Sequence, residues 1–186
     1  TTDTTLGKKT LPIVVTDQYG NEYTTSVQVE VAARNKKNAD DFDWDESVIY
    51  FMVTDRFFDG NESNNTASGA KTYGKDNAGL YHGGDFAGIT QKLDYLEDLG
   101  INTIWITPIV ENIPGVTVTD TGKEDVPYNA AYHGYWASDF TKLNPTLGTK
   151  EEFQTLIDQA HNRGIRIMVD IVVNHAGYDT DFGDMI

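Results

Sequence analysis

The sequence predicts an α/β fold, read as an incomplete (β/α)8 TIM barrel (its first three strands and two helices) preceded by the last strands of a β-sandwich module. Three observations predict it. From Ser47 onward, apolar strand-like runs alternate with amphipathic helical stretches; the connections leaving the first two runs are long; and the first 34 residues carry a separate period-two pattern.

The elements follow in order. "LPIVVTDQYGNEYTTSVQVEVAA" holds two β-rich runs around a "DQYGN" turn, the second alternating as Val27, Val29 and Val31. Two strands alone are marginal in water, so residues 1–34 are assigned to the end of a carbohydrate-binding or immunoglobulin-like sandwich. Charged residues 35–46 are assigned to a linker and 47–176 to the first β/α units. There "VIYFMVT" is strand one. "DFAGITQKLDYLEDLG" puts Phe86, Ile89, Leu93 and Leu96 at helical spacing and stops at Gly100. "INTIWITPIV" is a second buried strand. "TKEEFQTLIDQAHNRG" opens with a Thr149 to Glu152 capping box, presents Phe153, Leu156, Ile157 and Ala160, and ends at Gly164. "IRIMVDIVV" is almost continuously apolar, as expected of a parallel strand covered on both faces. A nucleotide-binding βαβαβ half-domain shares this order, but the first strand-to-helix connection contains no G-x-G-x-x-G.

Charge narrows the function. Lys and Arg number 14 against 29 Asp and Glu, a formal net charge of -15, which repels phosphate backbones and anionic lipid, so neither nucleic acid nor membrane is an expected partner. With no cysteine, disulfides and thiolate metal sites are excluded. "TTDTTLGKKT" lacks the apolar centre of a signal peptide.

Polar residues interrupt the apolar pattern in three places. Asp170 stands in the third strand, where a carboxylate needs a hydrogen-bonding or charged partner, and Asn174 and His175 follow where strand meets loop. "AYHGYW" gathers His133, Tyr135 and Trp136, which serve either as loop core or as a surface for a ligand. "RFFDGNESNN" places Asp59, Asn61, Asn64 and Asn65 within seven positions, the composition of a solvated turn or of an oxygen cage.

"VIYFMVTDRF", "INTIWITP", "AYHGYW" and "IMVDIVVNH", in this order, resemble the α-amylase family of glycoside hydrolases from about Trp44 to Tyr178. The resemblance implies retaining cleavage of α-1,4-glucosidic bonds in starch-like polysaccharides. It implies that Asp170 and His175 support the sugar at the cleavage subsite, Tyr135 stacks on it, His133 bonds a hydroxyl, and Trp136 lines the wall. It makes Asn174 a ligand of a Ca2+ ion between the barrel and an inserted loop domain, whose start is assigned to residues 177–186. Asp59, Asn61, Asn64 and Asn65 match a calcium loop of cyclodextrin glucanotransferases and some bacterial α-amylases, completed there by a later "GGD". Here "YHGGDF" supplies Gly83 and Asp85, although Asp85 also stands where an N-cap belongs.

In the family the nucleophile and acid/base follow later strands, so no residue of this chain is assigned as catalytic. The chain alone is expected not to hydrolyse starch, the rest of the barrel being supplied by the same or a companion chain. A glucanotransferase, a pullulanase-type debranching enzyme and a non-catalytic glucan-binding piece remain open. Acidity, absence of cysteine and a calcium requirement suit a secreted or cell-surface bacterial protein.

Overall fold

In the computed structural model, which describes residues 5–31, 43–117 and 128–177, the chain divides into two units, Thr1–Glu46 and Ser47–Ile186. The first unit contains a β-hairpin. β1 (Gly7–Thr16) pairs antiparallel with β2 (Glu22–Val31) in unbroken register, from Gly7 opposite Val31 to Thr16 opposite Glu22. The Asp17 side chain closes the turn by accepting the amides of Tyr19 at 2.8 Å and Asn21 at 2.9 Å, while Gly20 takes a positive φ of 85°. Leu11, Ile13, Val14, Val15 and Val27 are exposed. Most of the expected linker, and all but the first residue of the expected loop-domain start, lie outside the described residues.

The second unit runs in order through β3 (Ile49–Met52), α1 (Thr54–Phe57), α2 (Phe86–Gln91), α3 (Leu93–Leu99), β4 (Thr103–Ile106) and β5 (Val110–Asn112). It continues with β6 (Gly115–Thr117), β7 (Tyr128–Ala130), β8 (Ala137–Leu143), α4 (Lys150–Asn162) and β9 (Arg166–Val169). β3, β4 and β9 form a parallel sheet in that order, with Met52, Ile106 and Val169 in register, so the chain leaves all three strands at one edge. Met52, Ile104 and Ile106 pack against Phe86, Ile89, Leu93, Leu96, Leu156 and Ala160 from the helices. The helical spacing read from sequence is therefore the core-facing stripe, except that Ile157 is only partly buried and lies outside this cluster.

Helix ends match their local chemistry. Gly100 caps α3 in the left-handed region at φ 88°. Thr149 accepts the Glu152 amide at 3.2 Å and Glu152 accepts the Thr149 amide at 2.7 Å, completing the capping box of α4.

Three expectations are corrected. The stretch 85–100 is two helices, because Lys92 leaves helical geometry at φ -105° and ψ 9°, yet Ile89 and Leu93 still share the core. "INTIWITPIV" is two strands: β4 ends at Ile106, and β5 pairs antiparallel with β8 across a register shift. β9 stops at Val169 and is not covered on both faces. Its continuation exposes Ile171 (71%) and Val173 (88%), and on the face away from the helices Ile49, Phe51 and Trp105 are exposed. The Phe51 and Trp105 rings pack on each other there, edge to face at 4.9 Å between centroids. Among the described residues no helix is long and apolar enough to cross a membrane.

Gly88 lies inside α2, where alanine is intrinsically better by about 1 kcal/mol. A Cβ there would collide with the main-chain oxygen of Phe58. Gly88→Ala is expected to destabilise by about 1–3 kcal/mol, as overpacking does, measured by denaturant unfolding; unchanged or raised stability would contradict this close approach.

Candidate functional site

Two polar clusters rise from the sheet edge where β3, β4 and β9 end. The first lies in the connection from α1 to α2. Asp85 is buried and its carboxylate gathers four donors: the amides of Gly60 (3.1 Å), Asn61 (3.0 Å) and Gly88 (2.6 Å), and the Asn64 side-chain amide (3.0 Å). Burial pushes this carboxyl above its ordinary range, and the four donors pull the other way, Gly88 foremost. Asp85 is thus the N-cap of α2, and the same carboxylate ties down the loop.

Around it, the side chains assigned to the oxygen cage face one another. Asn65 donates its amide to Asp59 Oδ2 at 3.0 Å, and Lys75 reaches the same oxygen at 2.9 Å. With the nitrogens of Asn64 and Asn65 fixed on carboxylates, their oxygens point elsewhere. Asp59 Oδ1, Asn64 Oδ1 and Asn65 Oδ1 are buried and have no hydrogen-bond donor among the described residues. Native interiors rarely leave such atoms unpaired. Gly83, at φ 92°, comes so close that a Cβ would lie within contact distance of Asn65 Oδ1 and 2.7 Å from Asp59 Oδ2.

Asn61 is engaged differently. Its Oδ1 accepts from the Ser63 hydroxyl at 2.6 Å, and its amide donates to Glu152 at 3.1 Å, joining the loop to α4. No group of three or more His, Cys, Asp or Glu suited to a metal occurs among the described residues. The oxygen cluster combines one carboxylate, Asp59, with the side-chain amides of Asn64 and Asn65.

The second cluster is aromatic. Trp136 is held by its amide on Asn112 Oδ1 at 2.6 Å. The Tyr135 amide donates to His133 Nδ1 at 3.0 Å, so Nδ1 is the unprotonated nitrogen and Nε2–H is left as a donor. Burial lowers the His133 pKa, which favours this neutral ring. The His133 ring stacks on Tyr135 at 5.7 Å and meets Trp136 edge-on at 4.6 Å. Tyr135 donates its hydroxyl to Asp170 Oδ2 at 2.7 Å, which gives Asp170 the partner its position demands. His175, exposed, donates from Nε2 to the Tyr135 carbonyl at 3.0 Å. His133, Tyr135, Trp136, Asp170 and His175, spread over 43 positions of sequence, form one connected group. Asn174 is exposed just before it.

Sequence reasoning missed four contributors. Asp55 and Arg56 sit in α1, Tyr132 adjoins His133, and Asn112 positions Trp136. A charged pair directly after an apolar strand-like run was the available signal for Asp55 and Arg56.

Residues 51–184 match the family described as alpha amylase, catalytic domain. The chain is 46% identical over 139 residues to the periplasmic alpha-amylase of Escherichia coli (strain K12), covering 75% of this chain and 20% of that protein. It is 43% identical over 155 residues to a cyclomaltodextrin glucanotransferase of Geobacillus stearothermophilus, covering 82% and 20%. Among solved structures, an Anoxybacillus alpha-amylase aligns with a TM-score of 0.63 at 35% identity, covering 77% of this chain and 27% of that one. The cyclomaltodextrin glucanotransferase CldA aligns at 0.62 and 35%, covering 70% and 26%. The chain spans about a fifth of the length of these curated relatives.

The bond to Asp170 favours the neutral Tyr135 phenol and pushes its pKa up to about 12 from an ordinary value near 10. The bond therefore persists through neutral and mildly alkaline pH and is lost as pH rises through about 12. In a difference ultraviolet titration, Asp170→Asn is expected to return one phenol toward its ordinary range; superimposable titrations would contradict the assigned bond.

Proposed function

Because the chain belongs to the α-amylase family of glycoside hydrolases, we propose that it is the amino-terminal portion of a calcium-dependent enzyme that cleaves α-1,4-glucosidic bonds of starch-like polysaccharides with retention. The observation that carries the calcium reading is the trio of buried, donorless oxygens on Asp59, Asn64 and Asn65. Calcium is a hard ion that takes six to eight oxygen ligands, carboxylate, amide and main-chain carbonyl alike, and these residue types fit it. Asp59, Asn64, Asn65 and the Gly83 carbonyl are the proposed holders, while Asp85, whose two carboxylate oxygens already take four donors, orders the loop around them. Asn61 contributes by fixing the loop, since its oxygen is already used by Ser63. When bound, the ion supplies positive charge that satisfies oxygens water does not reach; it stiffens the loop and takes no part in bond cleavage. Asn174 is proposed as a ligand of a separate ion, supported by its place in the D-x-V-x-N-H motif.

The aromatic cluster is proposed to hold the sugar. Tyr135 offers a ring for the weakly apolar face of a glucose unit, with Trp136 beside it. His133 Nε2–H is a donor for a hydroxyl. Asp170 and His175, both bonded to Tyr135, present polar groups at the same edge. The paired carboxylates that retention needs, about 5–5.5 Å apart, are assigned to strands beyond these three. On the same reading, the exposed face bearing Phe51 and Trp105 lines the interior of a barrel completed by those strands, and the hairpin ends a β-sandwich module. A secreted or cell-surface location is proposed. A glucanotransferase is the second reading, favoured by the similarity to enzymes of that name.

Calcium is expected to raise the thermal midpoint and a chelator to lower it. Free calcium at 100 times its Kd adds about 2.7 kcal/mol. Asn65→Ala is expected to abolish most of that shift in a melting series with and without chelator. A midpoint that ignores calcium would refute the metal reading.

A further inference from the structure

We propose that Arg56 is a positioning residue that couples cation binding in the 59–85 loop to the geometry of the sugar-contacting aromatic cluster; this rests on the calcium and sugar reading above. Asp55 is buried to 2% exposure in the single turn of α1. Its carboxylate accepts the amides of His82 (2.9 Å) and Gly83 (3.0 Å), and its main-chain oxygen accepts the Gly84 amide (2.8 Å). Three consecutive amides thus hang on one residue. They hold the segment that brings Gly83 to Asn65 and Asp59, and Asp85 to the loop.

Arg56 extends this hold in the other direction. Nη1 bonds Asp55 Oδ2 at 2.6 Å and the Leu80 carbonyl at 2.8 Å, and Nη2 bonds the Ala78 carbonyl at 2.7 Å. The guanidinium face is covered by the Tyr132 ring, with Cζ 3.8 Å from its centroid. One planar group therefore uses its edge on the 78–83 segment and its face on the aromatic loop. Lysine, a point charge without fork or plane, supplies neither geometry. From Tyr132 the contact continues edge-on to His133 at 5.4 Å, then to Tyr135 and Asp170.

The element that both sites bias is the 78–85 segment. With a cation on Asp59, Asn64, Asn65 and Gly83 it is drawn onto Asp55 and Arg56, and Tyr132 is seated. Without the cation those buried oxygens gain by turning to water, which loosens the segment and frees the ring. The coupling is reciprocal: sugar on Tyr135 tightens the cation by the same factor that the cation tightens the sugar.

The test measures maltoheptaose binding to the full-length protein by calorimetry, in saturating calcium chloride and in chelator. The unsubstituted protein is expected to bind maltoheptaose roughly tenfold more tightly with calcium, within the usual range of such couplings. Arg56→Lys keeps the charge and loses the fork; Tyr132→Leu leaves the Arg56–Asp55 pair in place. Both are expected to bring the ratio to within about twofold, with calcium affinity in the absence of sugar changed less than about threefold, a separation that ordinary destabilisation does not produce. Should Arg56→Lys fail to fold, as judged by circular dichroism, Tyr132→Leu carries the test. A ratio preserved in Tyr132→Leu, or a calcium affinity that collapses in both variants, overturns the coupling. A ratio of one in the unsubstituted protein, with both ligands bound, overturns the coupling alone. Absence of calcium binding overturns the calcium reading and the coupling together.

Discussion

A polar atom taken out of water needs a partner, and the long connection between α1 and α2 is organised by that requirement. Two buried carboxylates meet it by gathering amides. Asp55 takes those of His82 and Gly83, and Asp85 takes those of Gly60, Asn61 and Gly88. Each anchors a length of chain with no regular structure of its own to the sheet edge or to the start of α2. The close packing that results leaves no room for side chains at Gly84 or Gly88, whose Cβ positions are filled by main-chain atoms of Thr54, Asp55 and Phe58. Three side-chain oxygens, on Asp59, Asn64 and Asn65, are buried in the same connection without a donor among the described residues. The proposed partner is a cation, since a hard ion such as calcium accepts carboxylate and amide oxygens alike.

The same edge organises the aromatic cluster. Because β3, β4 and β9 run parallel with Met52, Ile106 and Val169 level, the chain leaves at Val53, Thr107 and Asp170, and Thr54, one residue on, bonds Thr107 at 3.1 Å through the two hydroxyls. Asp170 continues the ladder by donating its amide to Ile106 at 3.0 Å before its side chain meets Tyr135. The loop that delivers Tyr135 is itself pinned: Gly134, at φ 84°, passes so close to Pro108 that a Cβ would sit 2.5 Å from its carbonyl oxygen. A rigid sheet edge thus presents groups drawn from three separated stretches of sequence.

Local features were legible in the sequence because their causes are local. The stripe Phe86, Ile89, Leu93 and Leu96, the Thr149–Glu152 box and the Asp17 turn each depend on residues within a few positions. The break at Lys92 escaped notice because the apolar period continues across it. The β5–β8 pair was hidden because its strands lie 24 residues or more apart and meet with a register shift. A near-continuous apolar run at 165–173 does not say which face is covered, since that depends on what packs beside it. At the oxygen cluster, composition alone could not separate a turn from a cage. The distinction rests on which Asn oxygens are already used, and only the fold reveals that Asn61 spends its own on Ser63. Arg56 was invisible as a brace because its acceptors, the carbonyls of Ala78 and Leu80, carry no side-chain signature.

The central claim is that the donorless oxygens share one cation, and diffraction from crystals grown with calcium, read through anomalous differences, tests it most directly. The account predicts a peak 2.3–2.6 Å from Asp59 Oδ1, Asn64 Oδ1, Asn65 Oδ1 and the Gly83 carbonyl oxygen, the range for calcium–oxygen bonds. Density for water alone, or asparagine side chains turned out to solvent around an empty centre, would contradict it.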